Sequence, residues 1–247
     1  MTAIIAHRGA SADHPENTLR AIRRALLDPP PADGFECDVR LSSDGVAVVF
    51  HDDETTRLTG QPGEVETRTL AELQRLKVSG EPIPTLNALV SMITDLGTGP
   101  LLINVELKPT GHAAPLITAC RGDLDALHQG HHTLIVSSFD PRVIAAAFDA
   151  QVPWRLALLY ETLNALEFLA HLDHRGPLDL HPLHTLLDAD HVARYEFTPF
   201  DGSRRAFRTW TVDDPDEAKR LIQLGVDAII TNAPQSLARS LRPDQAP

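Results

Sequence analysis

The chain has 247 residues, 43% of them hydrophobic, with 34 acidic and 22 basic side chains and a formal net charge of −12. That composition supplies a sizeable core, and the length suits one α/β barrel domain. The acidic balance argues against general binding to nucleic acid or anionic membrane, which needs clustered Lys and Arg. The two cysteines, Cys37 and Cys120, lack CxxC spacing and build neither a disulfide framework nor a zinc cluster. The first residues lack the basic start and longer apolar stretch of a signal peptide, and no apolar run approaches the ~18 residues of a membrane span. The expectation is a soluble, cytoplasmic protein without a membrane anchor.

In chain order, eight strand-like runs are predicted: Ala3–Ala6, Gly34–Val39, Leu101–Leu107, Thr133–Ser137, Arg155–Leu159, Leu178–Leu180, Phe207–Thr211 and Asp227–Ile230. Apolar residues spaced by three and four lie between most of them, as in Leu19, Ile22 and Leu26, then Leu86, Leu89, Val90 and Ile93, then Val143, Ile144, Ala147 and Phe148, then Leu163, Leu166, Leu169 and Ala170. Asp140-Pro141 and Asp214-Pro215 each set a capping acid before a proline at the first helical position. Glu217 completes a capping-box pattern with Asp214, and Gly225 reads as a helix stop. Eight β/α repeats in this length predict a (β/α)8 TIM barrel, α/β in class. A doubly wound open sheet competes, but no G-x-G-x-x-G and no P-loop is present. One stretch breaks the rhythm. Ser43-Asp44-Gly45 reads as a hairpin turn, and residues 53–84 read as a small insertion after strand 2 on the catalytic face, with a short helix within Leu70–Leu76. One domain over 1–247 is expected.

The polar residues at strand ends carry the chemistry. Side chains at i and i+2 of a strand share a face, so Glu36 and Asp38 point together into the barrel mouth and Cys37 points out toward the helices. Glu106 and Lys108 repeat that spacing on the third strand. Three carboxylates from two strands suit a hard divalent cation such as Mg²⁺ or Ca²⁺. A buried ion-pair network of the three acids with Arg8 and Lys108 is the alternative reading. His7 and His51 each follow an apolar run and end at one rim; imidazoles titrating near pH ~6.5 suit general acid and base work. Zinc is the rival there, but its usual H-x-H or H-E-x-x-H pairs do not involve these residues. His131, His132, His171 and His174 are read as solvated surface. Arg8 offers a guanidinium fork for phosphate oxygens, and Lys108 adds a point charge. His181 follows the sixth strand and either faces the mouth or packs. Trp210 is either core or the apolar wall of a site for a small polyol.

These residues fall into an ordered pattern. His7-Arg8-Gly9, Pro15–Thr18, Glu36–Val39, Asp44-Gly45 and Val48–Asp52 are followed by Asn104–Pro109, Ser137–Asp140, Trp210-Thr211-Val212 and Gly225–Thr231. From about residue 3 to 240 the chain resembles the glycerophosphodiester phosphodiesterase family, its short cytoplasmic bacterial members in particular. The resemblance implies a (β/α)8 barrel with an insertion after strand 2, and hydrolysis of small-molecule glycerophosphodiesters to glycerol 3-phosphate and an alcohol. It implies acid/base roles for His7 and His51, phosphate binding by Arg8, a metal held by Glu36, Asp38 and Glu106, and a substrate site lined by Lys108 and Trp210. Two positions depart from the commonest pattern: Asp213 stands where Trp-Thr-Val is often followed by Asn, and Asn232 where Ile-Thr is often followed by Asp. A phosphodiesterase acting on another lipid-derived head group, and a non-catalytic barrel that binds polyol phosphates, are the competing readings. The sequence sets no oligomeric state.

Overall fold

The computed structural model describes residues 1–109, 111 and 113–243. Its strands are β1 (Ala3–His7), β2 (Gly34–Leu41), β3 (Ala47–Val49), β4 (Lys77–Val78), β5 (Glu81–Pro82), β6 (Leu102–Leu107), β7 (Thr133–Ser138), β8 (Arg155–Tyr160), β9 (Asp179–Pro182), β10 (Arg208–Thr209) and β11 (Ala228–Thr231). Eight of them run parallel in the order β10-β11-β1-β2-β6-β7-β8-β9. Single parallel bridges, Leu180 to Phe207 and Leu183 to Trp210, join β9 back to the β10 segment. The result is a nearly closed (β/α)8 barrel, and each of its strands falls on one of the eight predicted runs. The expected strand Phe207–Thr211 shortens to Arg208–Thr209. This segment divides its pairing, Arg208 and Thr209 with β11, Phe207 with Leu180 of β9 and Trp210 with Leu183 just past it, so neither ladder is long.

Alternation along the strands separates two cores. Ile4 and Ala6 of β1, Phe35, Cys37 and Val39 of β2, and Ile103, Val105 and Leu107 of β6 face outward and pack under the helices. Cys37 lies in that layer as expected, and both cysteines are free and buried. Inside the barrel, Ile5, Ala228 and Ile230 form an apolar floor. Continuing each inward row toward the strand's C-terminal end reaches His7, Glu36, Asp38, Asn104 and Glu106. β2 and β6 approach so closely at Gly34 that a Cβ there would stand 1.8 Å from the Leu102 carbonyl oxygen.

The helices of the outer ring are α1 (Leu19–Leu27), α4 (Leu86–Leu96), α5 (Ala113–Gln129), α6 (Pro141–Asp149), α7 (Leu169–Leu172), α8 (Ala189–Tyr195), α9 (Pro215–Gln223) and α10 (Pro234–Leu241), with α2 (Thr56–Thr59) and α3 (Leu70–Leu73) in the insertion. The predicted apolar stripes face the core in α1, α4 and α6, with Leu19 and Phe148 half-buried at their ends. Asp140 and Asp214 each cap a helix that starts on proline. Two local expectations fail. Leu163, Leu166 and Leu169 do not make one α-helix: residues Leu163–Phe168 form 3-10 turns, whose period of three matches that spacing, and Leu163 is exposed. Glu217 does not complete a box with Asp214, because its carboxylate pairs with Arg220 and His184 instead. No described helix is long and apolar enough to cross a membrane.

β2 runs past the barrel rim, turns at Ser42–Val46 and returns as the antiparallel β3, with Val39 opposite Val49 and Leu41 opposite Ala47. The insertion that follows holds α2, α3 and the small β4–β5 hairpin. It has its own apolar cluster of Val48, Phe50, Val65, Leu73, Leu76, Val78 and Ile83. α3 is short but carries a complete capping box between Thr69 and Glu72.

Candidate active site

Parallel register brings the inward polar residues together. His7 lies beside Glu36, Glu36 beside Asn104, and Asp38 beside Glu106, on three neighbouring strands. His51 arrives differently. It follows the returning strand β3, and the Phe50 amide donates to the Asp38 carbonyl oxygen at 2.9 Å, which swings His51 back over the mouth. A cavity of about 220 Å³ opens there, lined by His7, Arg8, Glu36, His51, Asn104, Glu106, Lys108, Phe139, Leu159, Glu161, Trp210 and Ile230. Of the predicted site residues, Asp38 is fully buried just behind this lining, within the acidic trio. His181 is the one the structure keeps away from the cavity. It is fully buried in the barrel, with Nε2 3.4 Å from Arg208 Nη1. Burial and the Arg208 charge bring it down to about 3, so it is neutral.

The His-Arg-Gly segment is shaped for this place. Arg8 (φ +56°) and Gly9 (φ +85°) are both left-handed, and a Cβ on Gly9 would stand 2.5 Å from the Ala21 carbonyl carbon of α1. The turn folds Arg8 back over the trio: its backbone N–H donates to Glu36 Oε2 at 3.1 Å, its Nη1 to Glu16 Oε1 at 2.8 Å, and its Nε lies 3.1 Å from Asp38 Oδ2. Pro-Glu-Asn-Thr is a brace for the same group. Asn17 Nδ2 donates to Asp38 Oδ2 at 2.8 Å, and Thr18 caps α1. Lys108 Nζ donates to Glu106 and lies 3.3 Å from Asp38 Oδ1.

The ion-pair network therefore exists, yet it does not neutralise the site. Three carboxylates, whose ligand oxygens all lie within 4.8 Å of one another, face two cations. Glu36 Oε1 and both amide atoms of Asn104 are buried without a hydrogen-bond partner among the described residues, and Asp38 Oδ1 faces the Lys108 charge without a hydrogen bond. Burial and the neighbouring Asp38 and Glu106 charges push Glu36 well above the usual carboxylate range. Burial and Asp38 push Glu106 up as well. Against the cost of burial, Lys108 and Arg8 hold Asp38 low. Unfilled hard oxygens with excess negative charge are what a divalent cation needs, so the residues fit a metal.

The two histidines are held from behind by different groups. His7 Nδ1 meets Asn232 Oδ1 at 2.7 Å, and burial, with Arg8 adjacent, draws it down to about 4. His51 Nδ1 meets Asp52 Oδ1 at 2.7 Å. Asp52 is fixed in turn by Arg57 and held at about 2, chiefly by that hydrogen bond. Sequence reasoning missed Asn104, Glu161, Phe139 and the pair Asp213–Asn232 as site residues. Asn104 was within its reach, since it shares the inward row of Glu106.

A polar cavity of this kind at the C-terminal mouth of a (β/α)8 barrel is the usual place of an enzyme's site, and the comparisons with known proteins make this enzyme a phosphoric diester hydrolase. The chain belongs to the glycerophosphoryl diester phosphodiesterase family, whose model matches residues 7–236. It is 32% identical to a glycerophosphodiester phosphodiesterase of Caldanaerobacter subterraneus subsp. tengcongensis over 98% of each chain. It is 29% identical to one of Bacillus altitudinis, over 95% of this chain and 96% of that one. Among solved structures, an Oleispira antarctica phosphodiesterase in complex with its product sn-glycerol-3-phosphate superposes with a TM-score of 0.80, at 27% identity, over 98% of this chain and 97% of that one.

Proposed function

We propose that this enzyme hydrolyses glycerophosphodiesters such as glycerophosphocholine and glycerophosphoethanolamine to glycerol 3-phosphate and an alcohol, with Mg²⁺ or Ca²⁺ bound by Glu36, Asp38 and Glu106. The observation that carries the reading is the under-neutralised acidic trio beside Arg8 and Lys108, in a cavity that also holds both histidines. A bound divalent cation would supply Lewis-acid charge for the phosphoryl oxygens. Arg8 and Lys108 bind the phosphate through charge-assisted hydrogen bonds. His7, backed by a neutral amide and kept uncharged by its surroundings, removes the proton from the attacking oxygen. His51 is lowered by burial, but the Asp38 charge and the hydrogen bond to ionised Asp52 work against this, and it protonates the departing alkoxide. Trp210 and Phe139 form the wall against which the carbon skeleton of the substrate lies. Two buried free thiols agree with a reducing, cytoplasmic setting. The test is direct: pure protein is incubated with glycerophosphocholine with and without Mg²⁺ or Ca²⁺, and glycerol 3-phosphate is assayed. Release that requires the metal is the expected result; no release under any metal condition overturns the reading.

A further inference from the structure

Asp213 and Asn232 stand 19 residues apart. In the structure they are partners. The Asp213 carboxylate accepts from the Asn232 backbone N–H at 2.8 Å, from Asn232 Nδ2 at 2.7 Å and from Thr231 Oγ1 at 2.8 Å. The opposite end of the same amide, Asn232 Oδ1, lies 2.7 Å from His7 Nδ1 and accepts from Ser11 Oγ at 3.0 Å.

An amide has one donor end and one acceptor end. A carboxylate offers only lone pairs, so the end of Asn232 facing Asp213 is the NH₂, and the end facing His7 is the oxygen. The Ser11 hydroxyl, which can donate or accept, donates to that oxygen in this orientation. Facing an acceptor, Nδ1 of His7 must carry hydrogen. A neutral imidazole has one N–H, so Nε2, which lies 3.9 Å from Glu36 Oε2, bears the lone pair. With the amide flipped, its oxygen would face the carboxylate, and its NH₂ would face Nδ1 and force the proton onto Nε2. His7 could then no longer accept one there.

We propose that Asp213 is a positioning residue: by clamping the Asn232 amide in one orientation it holds His7 in the Nδ1–H tautomer and keeps Nε2 free to take a proton. The inference rests on His7 acting in proton transfer. Moving the carboxylate to position 232 and the amide to position 213 leaves an acceptor behind Nδ1 and a donor behind that acceptor.

The test combines tautomer and turnover in the Mg²⁺-loaded enzyme. Imidazole ¹H–¹⁵N correlation spectra, with the His7 signals assigned from their loss in His7→Gln, read the tautomer directly. The wild type should show a protonated Nδ1 and a bare Nε2. Asp213→Asn, whose own amide lets Asn232 turn over, should show a mixed or reversed pattern. Its kcat on glycerophosphocholine should fall ~10–100-fold, the range for losing a group that orients a site residue, with KM little changed. The exchange variant Asp213→Asn/Asn232→Asp should restore the Nδ1–H tautomer and recover most of the lost kcat. An Nε2–H tautomer in the wild type overturns the proposal even if no variant folds. So does Asp213→Asn with an unchanged tautomer, whatever its kcat, or a shifted tautomer with full kcat. A wild type that hydrolyses no glycerophosphodiester defeats the functional reading alone, because the spectra still report the tautomer.

Discussion

Asp179 and Glu36 are both inward carboxylates buried in the same barrel, yet their surroundings differ. Both oxygens of Asp179 are used: Oδ1 accepts from Arg155 Nη2 and the Ala206 amide, and Oδ2 from Arg155 Nε and Arg208 Nη1, all at 2.8–3.0 Å. Nearby Asp173 is held by Arg205 at 2.7 Å. Around Glu36 three acids share two cations, and hydrogen-bonding capacity is left over. Burying a charge is tolerated only where something answers it. The Asp179 cluster is answered by the protein and ties β8, β9 and β10 together at the barrel's closing seam. The Glu36 cluster is left to be answered by a ligand.

The largest test of that difference is removal of the missing charge. Exhaustive chelation should abolish glycerophosphodiester turnover, and Mg²⁺ or Ca²⁺ should restore it. Full activity in chelated protein would mean that Arg8 and Lys108 suffice and that the two clusters do not differ in kind.

Next come the histidines, which depend on the unfilled cluster but not on the filled one. His7→Ala and His51→Ala should each lower kcat by ~10²–10⁴-fold, far more than they raise KM. A nitrophenyl phosphodiester needs little protonation of its leaving oxygen, so it should rescue His51→Ala and not His7→Ala. The reverse pattern would exchange the acid and base assignments. Near-normal kcat on glycerophosphocholine in both variants would remove them from the chemistry altogether. Arg8→Ala should raise KM as well as lower kcat, because the phosphate contacts proposed for it precede the reaction.

Legibility in the sequence follows the range of the interactions. The strands, the acidic trio and the inward row of Glu106 come from local alternation, so each of the eight predicted runs holds a barrel strand. His181 obeys the same alternation and does point inward. Periodicity fixes the face of a residue but not its depth, and His181 lies beside Arg208 instead of at the cavity. His51 reaches the mouth on a return strand, which the Ser43-Asp44-Gly45 turn signalled. The clamp from Asp213 through Asn232 to His7 closes over 225 residues of chain, and no local pattern contains it. Glu217 shows the converse failure: a valid capping spacing lost to a stronger partner, Arg220.

Stability should separate the clusters in the opposite sense from activity. Asp179→Ala strands the buried Arg208, while the exposed Arg155 can turn to solvent, and should cost ~3–5 kcal/mol in urea unfolding. Glu36→Gln removes repulsion and should leave the metal-free protein as stable as before, or more so. Burial alone would raise Asp179, but the Arg155 hydrogen bonds and the Arg208 charge reverse this and hold it at about 2. The unfolded value is ~3.9, so the folded state binds its proton less readily. The stabilisation is complete above pH ~4 and is lost as pH falls through about 2, amounting to roughly 2–3 kcal/mol. Acid unfolding of Asp179→Asn should lack that component. Equal acid sensitivity in the variant and the wild type would show that Asp179 does not hold the seam.

The smallest effect concerns a third kind of carboxylate. Glu161 lines the cavity from the loop after β8, is exposed, and has no ion-pair partner within 4.0 Å among the described residues. Beside it on that wall stand Phe139 and Trp210, packed edge to face with ring centroids 5.2 Å apart. In the proposed pose, with the phosphate at Arg8 and Lys108, the head group would lie along this wall. An unpaired acid next to aromatic faces attracts a cationic head group, through charge and through the ring quadrupoles. At a solvent-exposed lip each contribution is worth ~0.5–1 kcal/mol. Glu161→Gln should therefore raise KM for glycerophosphocholine ~2–5-fold. It should leave kcat in place and leave KM for the uncharged head group of glycerophosphoglycerol unchanged. The difference between the two substrates should shrink as ionic strength rises, since exposed charges are screened. If both KM values move together, Glu161 shapes the lip without reading charge, and the contrast between answered and unanswered carboxylates ends at the metal trio.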